Sequence, residues 1–181
     1  MPITDDVIRA DLAHRIYATS HLTGEFTLRS GRVSNEYFDK YRFESDPVLL
    51  AEVAEAMATL VPEGIEVLAG LEMGGIPVVT ALARVTGLPA CFVRKSAKKY
   101  GTAKFAEGAD VDGKRVLIVE DVITSGEQVV LSTADLRGIG AQITDVVCVI
   151  DRSEGGTEAL GAEGLTLASV VNRDDLNAAA G

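Results

Sequence analysis

Short runs of apolar residues alternate with amphipathic stretches along most of the chain. The runs that read as buried strands are EVLAG (66–70), ACFVR (90–94), RVLIVE (115–120), DVVCVID (145–151) and LTLASVV (165–171). Apolar strands that alternate with helices predict an α/β fold, with a mostly parallel central sheet and helices on both faces. In such sheets ligands bind at the carboxyl ends of the strands, so the residues that follow each run are candidates for a site.

The first 45 residues follow a different pattern. Residues 5–22 carry apolar side chains near helical spacing and predict a helix. Residues 24–43 are aromatic and polar by turns, and predict two brief strands around a turn. Asp46 and Pro47 then predict the start of a second helix, with Asp46 as its N-cap. Since no repeat, low-complexity tract or linker divides the chain, we expect a single domain.

The clearest candidate for chemistry is VLIVEDVITSGEQV (117–130). Two carboxylates, Glu120 and Asp121, are predicted at the carboxyl end of a buried strand, where they can bind a vicinal diol or help to hold a divalent cation. The Thr-Ser-Gly turn that follows leads into a helix. Its backbone N–H groups, its hydroxyls and the positive end of the helix dipole are suited to phosphate. The alternative is an ordinary N-cap turn beside two solvated acids.

The charge distribution adds a second candidate. The 181-residue chain has a formal net charge of −10, which disfavours nucleic acid and anionic membrane surfaces as partners. Five cations nevertheless fall between positions 94 and 104, with no acid among them. A basic segment on an acidic chain indicates a small anionic ligand. A solvated basic loop is the alternative.

Several classes of protein are disfavoured by the remaining composition. No apolar run is long enough to span a membrane, and the first residues lack the basic and apolar pattern of a signal peptide. Cys91 and Cys148 stand singly in apolar runs, as reduced core cysteines do. With no CxxC and only two histidines, no zinc site is predicted. We therefore expect a cytoplasmic protein.

Two acids after an apolar strand, followed by a T-[SAG]-G turn, resemble the signature of the type I phosphoribosyltransferases. The resemblance implies their fold, with a small N-terminal hood (about residues 1–45) on a core of about residues 46–181. It also implies that the acids bind the ribose hydroxyls of phosphoribosyl pyrophosphate (PRPP) and that the turn binds its 5′-phosphate. Mg²⁺ is implied through PRPP, near the two acids, with no direct protein ligand. The PRPP-binding residues implied are Glu120, Asp121, Val122, Ile123, Thr124, Ser125, Gly126, Glu127, Gln128, Gly74 and Gly75.

The basic segment narrows the resemblance. FVRKSAKKYG (92–101) is similar to the strand end and mobile loop of the orotate phosphoribosyltransferases, R-K-x-x-K-x-[HY]-G. This implies catalytic roles for Arg94, Lys95, Lys98 and Tyr100. Fixed cations would stabilise the charge that accumulates on departing pyrophosphate. Tyr100 stands where better-known relatives have histidine, and tyrosine does not shuttle protons near neutral pH.

Two further segments resemble the orotate site of that family. FTLRSGRVSNEYFDKYRF (26–43) is similar to its hood, which implies that Arg29, Tyr37 and Phe38 contact orotate. The two aromatic residues could instead be core residues of a small sheet. Arg152, after the next strand, matches the arginine that pairs with the orotate carboxylate, with Thr124 nearby. Arg152 could instead be an exposed residue at a strand end.

GLEMGGIP (70–77) is similar to the pyrophosphate loop of the family, with one departure. Gly74 stands where many members carry lysine, so we expect pyrophosphate to depend more on backbone N–H groups and on the basic segment.

Together these resemblances imply Mg²⁺-dependent transfer of phosphoribose from PRPP to orotate, in de novo UMP synthesis. They also imply a homodimer whose basic loop reaches the partner's site. Alternatives are a phosphoribosyltransferase for another purine or pyrimidine base, or a PRPP-sensing regulator that binds RNA. A regulator of that kind should show a basic face, which this chain lacks outside positions 94–104.

Overall fold

A computed structural model of the chain describes residues 6–28, 30–95, 105–153 and 156–181. The N-terminal part contains a helix, α1 (Asp6–Ser20), and two strands, β1 (His21–Thr27) and β2 (Val33–Phe38). The strands pair antiparallel, with His21 opposite Phe38, as the aromatic and polar pattern predicted. The predicted first helix was two residues too long, because Leu22 belongs to β1 and faces Tyr37.

Two helices lead from this small sheet into the core. A short helix, α2 (Lys40–Glu44), was not predicted; Asp39 caps it by accepting a hydrogen bond from the Tyr41 amide at 3.2 Å. The next helix, α3 (Pro47–Ala58), begins as predicted. The Asp46 carboxylate accepts hydrogen bonds from the amides of Val48 and Leu49, both at 3.0 Å, and so supplies partners for two otherwise unpaired donors of the first turn.

The remaining chain forms a six-stranded sheet in the order β5-β4-β3-β6-β7-β8. Only the edge strand β5 runs antiparallel to its neighbour, so the predicted mostly parallel sheet is confirmed. The strands are β3 (Val67–Leu71), β4 (Ala90–Val93), β5 (Ala106–Gly108), β6 (Arg115–Ile123), β7 (Gln142–Asp151) and β8 (Thr166–Asn172). The helices are α4 (Gly75–Thr86), α5 (Glu127–Gly138), α6 (Gly156–Ala162) and α7 (Arg173–Ala180).

The sheet is buried on both faces. Along β6, Leu117 and Val119 pack into a core shared with α1, α3 and α4, whereas Val116 and Ile118 pack into a second core with α5 and α6. This alternation is the period of two that a strand imposes on its side chains. Because β6 is central and covered on both faces, its carboxyl end is held rigidly, and that end carries the predicted diol-binding acids.

Both cysteines are free and buried, as predicted. Burial raises the pKa of the Cys91 thiol to about 11, which keeps it protonated and unreactive. Within the described parts of the chain, no helix has both the length and the apolar character needed to cross a bilayer.

Candidate functional site

The central strand β6 runs further than its apolar pattern indicated. It continues to Ile123 because Val122 pairs with Ile150 of β7 and Ile123 pairs with Asp151. Glu120 and Asp121 therefore lie within the strand rather than beyond its end. Neighbouring residues of a strand point to opposite faces, and the two acids differ accordingly: Asp121 is fully buried, whereas Glu120 is partly exposed.

The turn after β6 has the form expected of an anion site. Gly126 adopts a left-handed conformation (φ +73°) and is the N-cap of α5. Thr124 and Ser125 are exposed, and the Ser125 hydroxyl accepts a hydrogen bond from the Glu127 amide at 3.4 Å. Exposed hydroxyls and backbone amides at the start of a twelve-residue helix can bind a phosphate group. The Gln128 side chain instead donates along the helix to Ser132, at 3.0 Å.

The Gly-rich turn after β3 lies directly against Asp121. The turn leads into α4, which begins at Gly75, and its Glu72–Met73 peptide bond is cis. A Cβ at Gly74 would lie 1.9 Å from Asp121 Oδ2. Gly74 has ordinary helical dihedral angles (φ −67°, ψ −32°), so the glycine is needed for space and not for backbone freedom.

Three ionisable side chains lie around the Asp121 carboxylate and form a cluster of four with it. Lys40 Nζ lies 2.5 Å from Oδ2, while Oδ1 accepts the Val122 amide at 2.7 Å. Glu44 of α2 and Glu120 complete the cluster, and Glu120 Oε1 accepts a hydrogen bond from the Asp121 amide at 3.3 Å. Three carboxyl groups and one lysine thus lie together near the carboxyl end of the central strand β6.

The electrostatics of this cluster assign its protons. Burial, followed by the neighbouring Asp121, raises the pKa of Glu44 to about 9 and that of Glu120 well above its usual range. Burial also opposes the charge on Asp121, but its neighbours Glu120, Glu44 and Lys40 outweigh burial and lower the pKa of Asp121. Burial likewise opposes the charge on Lys40, but the bond to Asp121 outweighs it and raises the pKa of Lys40. These directions favour the neutral acid at Glu44 and Glu120 and the charged forms of Asp121 and Lys40.

The start of the basic segment is attached to the Gly-rich turn. The Glu72 carboxylate accepts a hydrogen bond from the Lys95 amide at 2.6 Å, and the Arg94 amide donates to the Phe105 carbonyl at 2.7 Å. Arg94 and Lys95 are exposed. Lys98 and Tyr100 lie outside the described residues, as does Arg29 of the hood.

A cavity of about 760 Å³ adjoins the end of β7 and is lined by Tyr37, Phe38 and Arg152 among others. The Arg152 guanidinium carbon lies 5.4 Å from the centroid of the Phe38 ring, and the Arg152 amide donates to the Ile123 carbonyl at 2.9 Å. Tyr37 is 45% exposed, so it is not a core residue, whereas Phe38 both packs on the core and faces Arg152. A cation beside flat aromatic faces suits a planar anion.

Three site residues were not identified from the sequence: Lys40, Glu44 and Glu72. Lys40 and Glu44 belong to the unpredicted helix α2, and they contact a strand some eighty positions later in the chain. The only feature of the sequence that points to Glu72 is its position between a buried strand and a pair of glycines.

Comparison with known proteins identifies the family to which this chain belongs. Residues 42–161 match the phosphoribosyl transferase domain. The chain is 52% identical over 170 residues to the orotate phosphoribosyltransferase of Nocardioides sp., covering 94% of this chain and 95% of that protein. It is 41% identical to that of Halobacterium salinarum, covering 97% and 98%. The chain belongs to the orotate phosphoribosyltransferase family.

Solved structures agree with this membership. The orotate phosphoribosyltransferase of Mycobacterium tuberculosis in complex with inorganic phosphate superimposes with a TM-score of 0.83 at 33% identity, covering 94% of this chain and 99% of that one. The same enzyme in complex with PRPP gives a TM-score of 0.80. An adenine phosphoribosyltransferase of Trypanosoma brucei, at 13% identity and a TM-score of 0.66, shares the fold alone. The predicted type I fold, family and class of enzyme, a pentosyltransferase, are confirmed.

Proposed function

We propose that this protein transfers the phosphoribosyl group of PRPP to orotate, giving orotidine 5′-monophosphate and pyrophosphate. The observation that carries the proposal is the meeting of three features at the adjoining ends of β6 and β7. These are the ionised Asp121, the exposed turn at Thr124–Ser125, and the cavity that contains Arg152. Asp121 can accept hydrogen bonds from the ribose diol of PRPP, and the turn can bind its 5′-phosphate. Arg152 can pair with the carboxylate of orotate.

In this reading PRPP lies along the end of β6. The carboxyl oxygens of Glu120 and Asp121 accept hydrogen bonds from the ribose hydroxyls, and the turn from Val122 to Gln128 holds the 5′-phosphate at the start of α5. The backbone at Gly74 and Gly75, at the start of α4, faces the pyrophosphate. The helices α4 and α5 begin just after the neighbouring strands β3 and β6 end. Their N-termini therefore favour a ligand that carries phosphate groups at both ends.

Orotate lies in the cavity between the hood and the end of β7. The Arg152 guanidinium pairs with the orotate carboxylate, and Phe38 and Tyr37 contact the flat ring, with Thr124 and Arg29 beside it. The hood of about residues 1–45 then covers the base, over the core of a single domain.

The reaction breaks the bond between ribose C1 and the pyrophosphate oxygen and forms a bond from C1 to the orotate ring nitrogen, whose proton passes to the released pyrophosphate or to solvent. Positive charge develops on the ribose and negative charge on the leaving oxygens. We assign Arg94, Lys95, Lys98 and Tyr100 to the leaving group, because cations fixed there stabilise the transition state more than the bound substrate. The hydrogen bond from the Lys95 amide to Glu72 supports this assignment, since it ties the segment to the Gly-rich turn.

Mg²⁺ fits this site as a companion of PRPP. Among the described residues no group of three or more side chains is arranged to hold a metal ion, and the charge of Asp121 is already paired with Lys40. Because Mg²⁺ commonly binds through substrate phosphates, we propose that PRPP oxygens hold it near the two acids. When bound, it neutralises charge on the pyrophosphate.

The direct test is loss of orotate absorbance with purified protein, PRPP and Mg²⁺, compared with adenine, hypoxanthine, xanthine and uracil in competition. Turnover of orotate alone is expected. Turnover of another base instead would favour a different phosphoribosyltransferase. PRPP binding without any turnover would favour the sensing regulator.

Replacing Arg152 by glutamine should raise KM for orotate about tenfold and leave KM for PRPP unchanged, because a bidentate, charge-assisted pair is lost only at the base. Arg152→Lys should recover only part of this loss, since lysine cannot bind in the same two-pronged way. Arg84→Gln, on an exposed turn of α4, is the matched control. An equal rise in both KM values would assign Arg152 to the fold rather than to orotate.

We also propose a homodimer in the cytoplasm, with the basic segment of one subunit serving its partner's site. The buried, free cysteines support a reducing compartment. Mixing inactive Lys98→Ala and Asp121→Ala proteins should restore about a quarter of the wild-type activity, because half of random dimers are mixed and hold one intact site. No recovery after subunit exchange would show that each subunit acts alone.

A further inference from the structure

The pairing of Lys40 with Asp121 has no counterpart in the roles assigned above. Asp121 is fully buried, and Lys40 reaches it from α2 with a third of its side chain still exposed, 2.5 Å from nitrogen to oxygen. The contact joins the helix that follows the hood to the strand that carries the diol-binding acids. Lys40 lies at the end of the hood segment (26–43), where no role has been assigned to it, and its contact with Asp121 places it to act on PRPP recognition.

The Gly-rich turn limits the space around the same carboxylate. The oxygen that Lys40 contacts, Asp121 Oδ2, is the atom that a Cβ at Gly74 would meet at 1.9 Å. The carboxylate thus lies between the lysine that pairs with it and a position that admits no side chain. An Asp121 carboxylate that turned away from Lys40 would lose a cation 2.5 Å away.

The surroundings of the pair explain why a fixed cation is needed. Two further carboxyl groups, Glu44 and Glu120, contact Asp121, while Asp39, Tyr41 and Cys148 are the other titratable groups acting on the cluster. A buried carboxylate with acidic neighbours needs a cation that offsets its charge. A single ammonium on the outer side holds the carboxylate in one orientation.

Local structure fixes Lys40 itself. Asp39 caps α2 through the Tyr41 amide, and the Asp39 amide donates to the Ser20 carbonyl at 2.8 Å. Phe38, two residues before Lys40, lies on the cavity wall beside Arg152. The backbone from Phe38 to Lys40 is thus anchored on both sides, so the lysine is presented to Asp121 by a rigid segment.

We propose that Lys40 is a positioning residue for PRPP: it holds the Asp121 carboxylate in the orientation that accepts the ribose hydroxyls. This rests on the proposed function, in which those hydroxyls meet Asp121. Lys40 acts through Asp121 and takes no part in bond making or breaking. Its loss should therefore weaken PRPP binding much more than it slows a saturated enzyme or weakens orotate binding.

The test compares Lys40→Met and Lys40→Arg with Lys114→Met, which removes a surface lysine paired with Glu66 at 3.0 Å. PRPP binding is measured by calorimetry with Mg²⁺ and without orotate, and steady-state kinetics give KM for each substrate and kcat. We expect Lys40→Met to raise both Kd and KM for PRPP about tenfold, with kcat and the orotate KM changed less than twofold. Lys40→Arg should recover most of the affinity, and Lys114→Met should resemble the wild type.

Unchanged PRPP affinity in Lys40→Met would overturn the proposal. So would an equal loss in kcat and both KM values, with no recovery in Lys40→Arg and a lowered melting temperature, because that pattern marks a structural role. The proposed function fails separately: wild-type protein that binds PRPP but does not consume orotate overturns the reaction and leaves the role of Lys40 intact. If the wild-type protein consumes orotate and Lys40→Met binds PRPP as tightly as the wild type does, only the role of Lys40 is overturned.

Discussion

Alanine at position 74 is expected to lower kcat/KM for PRPP by about a hundredfold, a loss of about 2.7 kcal/mol in transition-state stabilisation. The added Cβ would stand 1.9 Å from Oδ2 and 2.3 Å from Cγ of Asp121, so the carboxylate must move. It has little freedom to do so, because Lys40 holds one oxygen and the Val122 amide holds the other. The expected result is a folded protein whose diol acceptor points away from the ribose.

Gly161→Ala in α6 is the matched control. Gly161 has nothing within 4 Å of an added Cβ, so the same substitution there should leave kinetics unchanged and stabilise the helix slightly. The measurement is kcat/KM for PRPP at saturating orotate, together with the melting temperature of each variant. Wild-type kinetics in Gly74→Ala would show that Asp121 adapts to the added methyl group and that its orientation is not critical.

The architecture was largely predictable from the sequence because each strand of the parallel sheet is buried on both faces. A strand that is buried on both faces has an uninterrupted run of apolar residues, as at Val116–Val119. Such a run can be recognised in the sequence without knowing which strands lie beside it. The Asp46–Pro47 helix start was equally visible, because a cap is a local interaction. Both signals depend only on nearby residues.

The elements that were missed depend on distant partners. The strand β5 has three residues, AEG, with no strand propensity of their own, and it forms through pairing with β4. The end of β6 was misplaced because Glu120 and Asp121 interrupt the apolar run, although pairing with β7 continues to Ile123. Most of the segment that forms α2 was included in the two strands predicted over residues 24–43, and only the fold brings its Lys40 and Glu44 to Asp121.

In the candidate site, too, the features that depend on nearby residues were predicted and those that depend on distant residues were not. Glu120, Asp121 and the Thr-Ser-Gly turn are contiguous, so their chemistry was apparent from the sequence. The departure at Gly74 was noticed as a missing lysine, but its physical cause was not, since the reason lies in the carboxylate of another strand. The proton arrangement within the cluster is likewise a tertiary property that burial and contact create together.

Glutamine at position 44 is expected to make the protein more stable at alkaline pH. Glu44 is 6% exposed and neither of its oxygens accepts a hydrogen bond from another described residue. Its pKa is raised from 4.5 to about 9, by burial first and by Asp121 second. Between those values the folded chain binds a proton that the unfolded chain releases, so wild-type stability falls as pH rises through this window.

A tenfold difference in proton affinity between the two states is worth about 1.4 kcal/mol, so a loss of about 4 kcal/mol between pH 5 and pH 8 is the expected order. Glu44→Gln removes the titration and keeps the size and shape of the side chain. Urea unfolding at pH 5, 6.5 and 8 should therefore show the two proteins converging at pH 5 and the variant ahead at pH 8.

The matched control is Glu158→Gln, which removes one negative charge from an exposed position in α6. If relief of general repulsion in an acidic chain explained the gain, both variants would gain alike. Parallel wild-type and Glu44→Gln stability curves between pH 5 and 8 would mean that Glu44 releases its proton in the folded protein. Asp121 would then face a second buried negative charge, with Lys40 as the cation nearest to both.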